Sequence, residues 1–163
     1  MTAKPNDNAL ALLLDALDEA FDHKSWHGPN LRGSIRGVTE AEAAWRPGKA
    51  AHNIWELTLH AAYWKYVVRR RLTGEKRGSF VLKGSNFFQR PSEDLSENEW
   101  RRDVQILVNE HIALREAVAT YTLPGDVKRR KWAIHLIRGA AAHDLYHAGQ
   151  IRLLRRLQAF AIT

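Results

Sequence analysis

Apolar residues return every three or four positions through four long stretches of this chain, and no stretch alternates convincingly with a period of two. A backbone with that pattern buries its apolar faces as helices and not as half-buried strands. The first stretch runs from Asp7 to His23 and carries Leu10, Leu13, Leu14, Leu17 and Phe21. The second covers Ala51 to Thr73, with Ile54, Leu57, Ala61, Trp64, Val68 and Leu72 on one stripe and Gly74 as its stop. The third opens at Ser96, whose spacing to Glu99 is that of a capping box. It carries Trp100, Val104, Leu107, His111, Leu114, Val118 and Tyr121 before Leu123-Pro124-Gly125 ends it. The fourth extends from Lys131 to Gln158. These stretches predict an all-α fold, an antiparallel four-helix bundle forming one domain over residues 1–163.

Two connections, after the first and after the second helix, are too long to be simple turns. The first contains Ser25-Trp26-His27-Gly28-Pro29 and a short helix expected after Thr39, with Glu42 completing a capping box. The second holds Phe80, Phe87 and Phe88 among glycine, serine and lysine, which suggests a cover packed over one end of the bundle. The first eight residues are polar and do not resemble a secretory leader, and no apolar run is long enough to span a membrane. A cytoplasmic setting is the expectation. The absence of cysteine excludes disulfides, thiolate ligands and a nucleophilic thiol, so any metal is held by nitrogen and oxygen.

The formal charge of +7 is spread along the chain. Arg69-Arg70-Arg71 and Arg152, Arg155 and Arg156 close helices, where cations favour the macrodipole, and Lys128 to Lys131 are placed in a connection. No nucleic-acid reader motif accompanies the charge, so nucleic acid is not the expected partner. A basic surface that draws in an anionic small molecule is also compatible with it.

The most telling residues lie in the fourth helix. His143 and His147 are one turn apart and fall on the same stripe as Leu136, Ala140, Ile151 and Leu154. Two imidazoles on a core-facing stripe need partners, since a buried polar group without one costs about 1–3 kcal/mol. One metal ion satisfies both at once; neighbouring side chains are the alternative. A catalytic ion of this kind usually has three protein ligands and an open position. His52 and His60 share the second helix but sit about 12 Å apart along its axis, so both cannot reach one ion. His52 points away from the apolar stripe and His60 flanks it, while His111 lies in the middle of the third helix's stripe. Periodicity leaves His60 and His111 nearly tied.

The passage Trp45-Arg46-Pro47 through His52-Asn53-Ile54-Trp55-Glu56-Leu57-Thr58-Leu59-His60, followed by Arg69-Arg70-Arg71-Leu72-Thr73-Gly74, resembles the DinB-like superfamily of bacterial metal-binding four-helix bundles. The segment His143-Asp144-Leu145-Tyr146-His147-Ala148-Gly149-Gln150-Ile151 is similar to that family's most recognisable stretch. The resemblance implies a metal triad of His60, His143 and His147. It also implies a metal-dependent enzyme, foremost a transferase that activates a low-molecular-weight thiol toward a small electrophilic substrate. A non-catalytic metal-binding bundle, stress-related and serving a ligand or partner, is the alternative, with a metal-dependent hydrolase beside it. Histidine ligands suit zinc, nickel, copper and iron, and zinc or nickel is the expected ion.

Around that triad, His111 and His27 are the candidates for a catalytic acid or base, and Asp144 and Gln150 for groups that orient a ligand imidazole. Gly149 suggests a close approach between helices. Leu12 and the Trp55, Leu59, Tyr63, Tyr66 side of the second helix are apolar away from the main stripe, so they meet either another helix or the second subunit of a homodimer.

Overall fold

The computed structural model describes residues 5–161; Met1 to Lys4, where the polar opening stretch begins, and the last two residues lie outside the described residues. The described chain is all-helical, with six helices where four long ones and one short helix after Thr39 were expected. Four are long: α1 (Pro5–Phe21), α4 (Ile54–Thr73), α5 (Glu97–Ala119) and α6 (Val127–Ala161). The other two, α2 (Leu31–Ile35) and α3 (Glu40–Ala44), interrupt the first long connection. Thr39 caps α3 as its sequence predicts, accepting from the Glu42 N–H while the Glu42 carboxylate accepts from the Thr39 N–H. Asn30 caps α2 by accepting from the Gly33 N–H, with no bond in return because Gly33 has no side chain.

Helix ends follow local chemistry more closely than periodicity does. α4 begins three residues later than expected, because the Asn53 side chain accepts from the Glu56 N–H and sets the start. Gly74 ends it at φ 79°, a left-handed backbone that glycine adopts freely, with its N–H on the Arg70 carbonyl. Ser96 caps α5 through the Glu99 N–H, but the Glu99 carboxylate turns outward to the Ser92 hydroxyl, so no reciprocal box forms. α6 starts four residues earlier than expected, where the Asp126 carboxylate accepts from the Arg129 N–H. Lys128 to Lys131 therefore belong to the first turns of a helix and not to a connection. At 35 residues, α6 is about 52 Å long and outruns every other element.

α4 packs on α5 and α6, and α1 packs on the same two. Contacts between α4 and α5 advance in step: Trp55 meets Trp100 and Asp103, Lys65 meets His111, and Arg69 meets Glu110. These two neighbours are therefore parallel, which corrects the expected antiparallel arrangement. The parallel pair explains the second long connection, since the chain must travel back along α4, about 30 Å, before α5 can start. α6 runs against α4, with Trp64 beside His143 and His60 beside His143 and His147. α1 runs against α5, where Asp18 holds Arg115 and Phe21 stacks on His111.

The crossover is a cover, as its aromatic content suggests, but it lies along the flank of α4. Phe80 and Phe88 are buried against Tyr63 and Tyr66. Trp55, Leu59 and Tyr66 are likewise buried within the chain, so this side of α4 is filled by α5 and the crossover. Leu12 is exposed, and so is Trp26, whose ring tilts toward the neighbouring His27 with centroids 5.9 Å apart. The space around Gly149 is open, so it marks no close helix approach.

At mid-bundle the core turns polar. Lys65 is 1% exposed and Asp144 is 0% exposed, and the ammonium donates to the carboxylate. The same ammonium lies 3.3 Å from His111 Nδ1 and 4.7 Å from the Phe21 ring centroid. Burial pushes the Asp144 carboxyl up to about 6 against the pull of Lys65. Burial, then the charges of Lys65 and Arg115, hold the His111 imidazole down at about 3, so it is neutral at pH 7. Lys65→Met leaves the Asp144 carboxylate buried and unpaired and is expected to cost about 3–5 kcal/mol in denaturant unfolding. Lys65→Met with Asp144→Leu recovers most of that loss. Equal losses in the single and double variants would show that the pair itself, and not the orphaned charge, carries the stability.

Candidate metal centre

His60 lies in the second turn of α4, and His143 and His147 lie one turn apart on α6, on the faces that meet across the antiparallel contact. His143 Nε2 is 3.1 Å from His60 Nε2 and 3.0 Å from His147 Nε2. The ligand-capable nitrogens of all three fall within 4.8 Å of one another, so the group could hold a metal ion. His60 and His147 are buried and His143 is half-buried.

The outer nitrogens show what the inner ones need. His60 Nδ1 donates to the Asn86 carbonyl at 3.0 Å, a group that can only accept. His147 Nδ1 donates to Gln150 Oε1 at 2.6 Å, and the Gln150 amide nitrogen in turn donates to the Tyr146 hydroxyl. Both imidazoles then present bare Nε2 lone pairs inward. One proton on His143 Nε2 can serve only one of them. Lone pairs on nitrogens that face each other at about 3 Å call for a cation, and tetrahedral zinc with Zn–N bonds of about 2.0–2.1 Å sets its ligand atoms about 3.3 Å apart. The donor set therefore fits a divalent ion held by three neutral imidazoles.

Electrostatics keep the ligands in that form. Burial, followed by the neighbouring imidazoles His147 and His60, lowers His143 to about 3. Burial, with His60 next, lowers His147 to about 4 against the help of Gln150. His60 is also lowered by burial, partly countered by the Asn86 carbonyl.

The three imidazoles open into a cavity of about 470 Å³ whose remaining wall includes Leu57, Phe87, Tyr146, Leu153 and Leu154. Phe87 is the crossover's contribution. Its ring stacks on His60 at 4.0 Å on one side and on His52 at 3.7 Å on the other. Asn86 adopts a left-handed backbone at φ 68°, places its carbonyl on His60, and accepts from Trp64 Nε1 with its side chain. His60 is thus gripped by two consecutive residues of the loop.

His52 is the residue that periodicity misjudged. It stands before α4 begins, so a helical angle does not describe its direction, and it lines the cavity. Its Nδ1 lies 2.9 Å from a carboxylate oxygen of Glu56, which Arg46 grips with two guanidinium nitrogens at 2.8 and 2.5 Å. Burial pulls the Glu56 carboxyl upward, but Arg46 and His52 outweigh it and hold the group below the usual range. The sequence signal for this arrangement was the Asn53 cap, which places His52 outside the helix.

Other candidates are placed elsewhere. His111 is 4% exposed, stacked 3.7 Å from Phe21 and set beside Lys65, and it does not line the cavity. His27 is exposed in the loop before α2. Asp144 turns to Lys65 and orients no ligand imidazole, because it lies about 100° round the helix from His143. Gln150 meets His147 directly.

The sequence profile of the DinB superfamily matches residues 25–151, which runs from the loop before α2 into α6 and contains all three converging histidines. No curated protein and no solved structure matches the chain. With most of its length matched, this chain belongs to the DinB superfamily.

Proposed function

We propose that His60, His143 and His147 hold one divalent ion, zinc or nickel, and that the centre serves a metal-dependent transferase using a low-molecular-weight thiol. The observation that carries the reading is the convergence of three inward-facing imidazole nitrogens, two of them with their outer nitrogens tied to oxygen acceptors, at the base of a mostly apolar cavity. An ion in this place supplies a positive charge that favours the deprotonated form of a bound thiol. The chain's residues do the rest. Asn86 and Gln150 hold the imidazole orientations, Phe87 and Trp64 exclude water from the His60 side, and Leu57, Leu153 and Leu154 receive the apolar body of a small substrate.

A second reading, metal-assisted hydrolysis, draws on His52. With Nδ1 turned to Glu56, its Nε2 is free to take a proton within the same cavity. A purely metal-binding role without catalysis is the remaining alternative. None of the described helices is long and apolar enough to cross a membrane.

Protein isolated without chelator is expected to carry about one divalent ion per chain by elemental analysis. His60→Ala, His143→Ala and His147→Ala each lose it, His111→Ala retains it, and Gln150→Ala weakens affinity about tenfold. Full occupancy in His60→Ala would overturn the triad.

In cobalt-substituted protein a small thiol should produce a new sulfur-to-metal charge-transfer band. Burial holds His143 and His147 at about 3 and about 4 and lowers His60 as well, so near neutral pH it is chiefly the thiol that loses a proton on binding. Binding should therefore strengthen as pH rises toward the free thiol's own pKa. An unchanged spectrum across a panel of thiols, with conjugation rates indifferent to chelation, would remove the transferase reading and leave hydrolysis or plain metal binding.

We also propose a homodimer, now resting on exposed Leu12 and on the exposed Leu157 of α6, since the Trp55 and Leu59 side of α4 is filled internally. Light scattering that reads a monomer mass at all concentrations would dismiss it.

A further inference from the structure

A second cavity, of about 410 Å³, lies on another face of α4 beneath the crossover, and neither the histidine centre nor the core accounts for its chemistry. Its polar wall holds three cations, Arg70, Arg77 and Lys83, and no carboxylate. The carboxylates nearby are already taken. Arg69, one position earlier on α4, binds both Glu75 and Glu110 and removes them from the neighbourhood. Arg70 Nε is buried and has no hydrogen-bond partner among the described residues.

The floor is aromatic. Tyr63, Tyr66 and Phe80 contact one another with centroids 5.4–5.9 Å apart. The Tyr66 hydroxyl accepts the N–H groups of Gly78 at 3.1 Å and Ser79 at 3.3 Å, which pins the loop to the helix. The Ser79 side chain hydrogen-bonds the same hydroxyl, so the phenol serves to hold the loop on the helix. Three cations with no carboxylate among them, one of them carrying a buried unpaired Nε, favour an anion in this cavity. The volume is too large for a bare oxyanion and falls in the range of small-molecule sites, about 300–1,000 Å³.

We infer that this cavity binds a small organic anion, a flat apolar body bearing a phosphate or carboxylate, with Arg70, Arg77 and Lys83 on the charge and Tyr63, Tyr66 and Phe80 against the body. The site is separate from the histidine centre and stands whether or not that centre is catalytic. Arg77 and Lys83 are exposed and so can close on a ligand after it arrives, whereas Arg70 is half-buried and fixes where the charge comes to rest.

The test uses isotopically labelled full-length protein, titrated with phenyl phosphate, benzoate and inorganic phosphate while amide resonances are followed. Phenyl phosphate or benzoate should shift the Gly78 and Ser79 amides at submillimolar to millimolar concentration, and the stronger of the two identifies the charged group. Inorganic phosphate should bind at least about tenfold more weakly, for want of the apolar contact. Arg77→Ser with Lys83→Ser, both surface changes, should weaken binding about tenfold or more and leave metal content unchanged. Three results would each overturn the assignment: no shift with either organic anion, affinity indifferent to the double variant, or shifts confined to Asn86 and Phe87 beside the histidines. Inorganic phosphate binding as tightly as phenyl phosphate would overturn it as well.

Discussion

The ammonium of Lys65, sealed at mid-bundle, is the point to which the long helices are tied. From α4 it donates to Asp144 on α6, lies against His111 of α5, and sits over the Phe21 ring of α1. Asp18 of α1 closes the circuit by holding Arg115, one turn beyond His111 on α5. A buried ion pair is seldom the cheapest way to stabilise a core, but it is selective about register, because a slip by one residue strands a charge. That selectivity bears on the three converging histidines. Asp144 follows His143, so the bond that fixes Asp144 also fixes the rotation of α6 and turns His143 and His147 toward α4.

The long helices were legible in the sequence because each one carries a continuous apolar stripe, and the Thr39 and Ser96 caps were legible because their chemistry is local. His143 and His147 could be paired from spacing alone. The choice of His60 over His111 could not be made that way, since both lie on or beside apolar faces. What separates them in space is which partner each face meets: α4 turns His60 to α6, and α5 turns His111 to Lys65 and Phe21. Helix direction was equally hidden, because periodicity says which face is buried and nothing of which way the neighbour runs. The clue to the parallel pair lay in the length of the crossover and not in any helix.

His52 shows a different limit. A helical wheel assigns a direction to every residue it is given, including one that the helix does not contain. Moving the start of α4 to Asn53 frees the His52 backbone to bring its ring back over Phe87 and its Nδ1 to Glu56. The error of three residues at one helix end thus concealed a fourth imidazole at the cavity.

The stack of His52, Phe87 and His60 has a bearing on how the cavity can be reached. Lifting Phe87 separates it from two imidazoles at once and drags on the Asn86 carbonyl that holds His60 in its tautomer. That side behaves as a wall, because opening it would release the imidazole it holds in place. The opposite rim is made of Tyr146, Gln150 and Leu153, successive turns of one helix, and both Tyr146 and Leu153 are largely exposed. The exposed rim of this cavity therefore lies along α6, with the Tyr146 hydroxyl and the Gln150 amide as its polar groups.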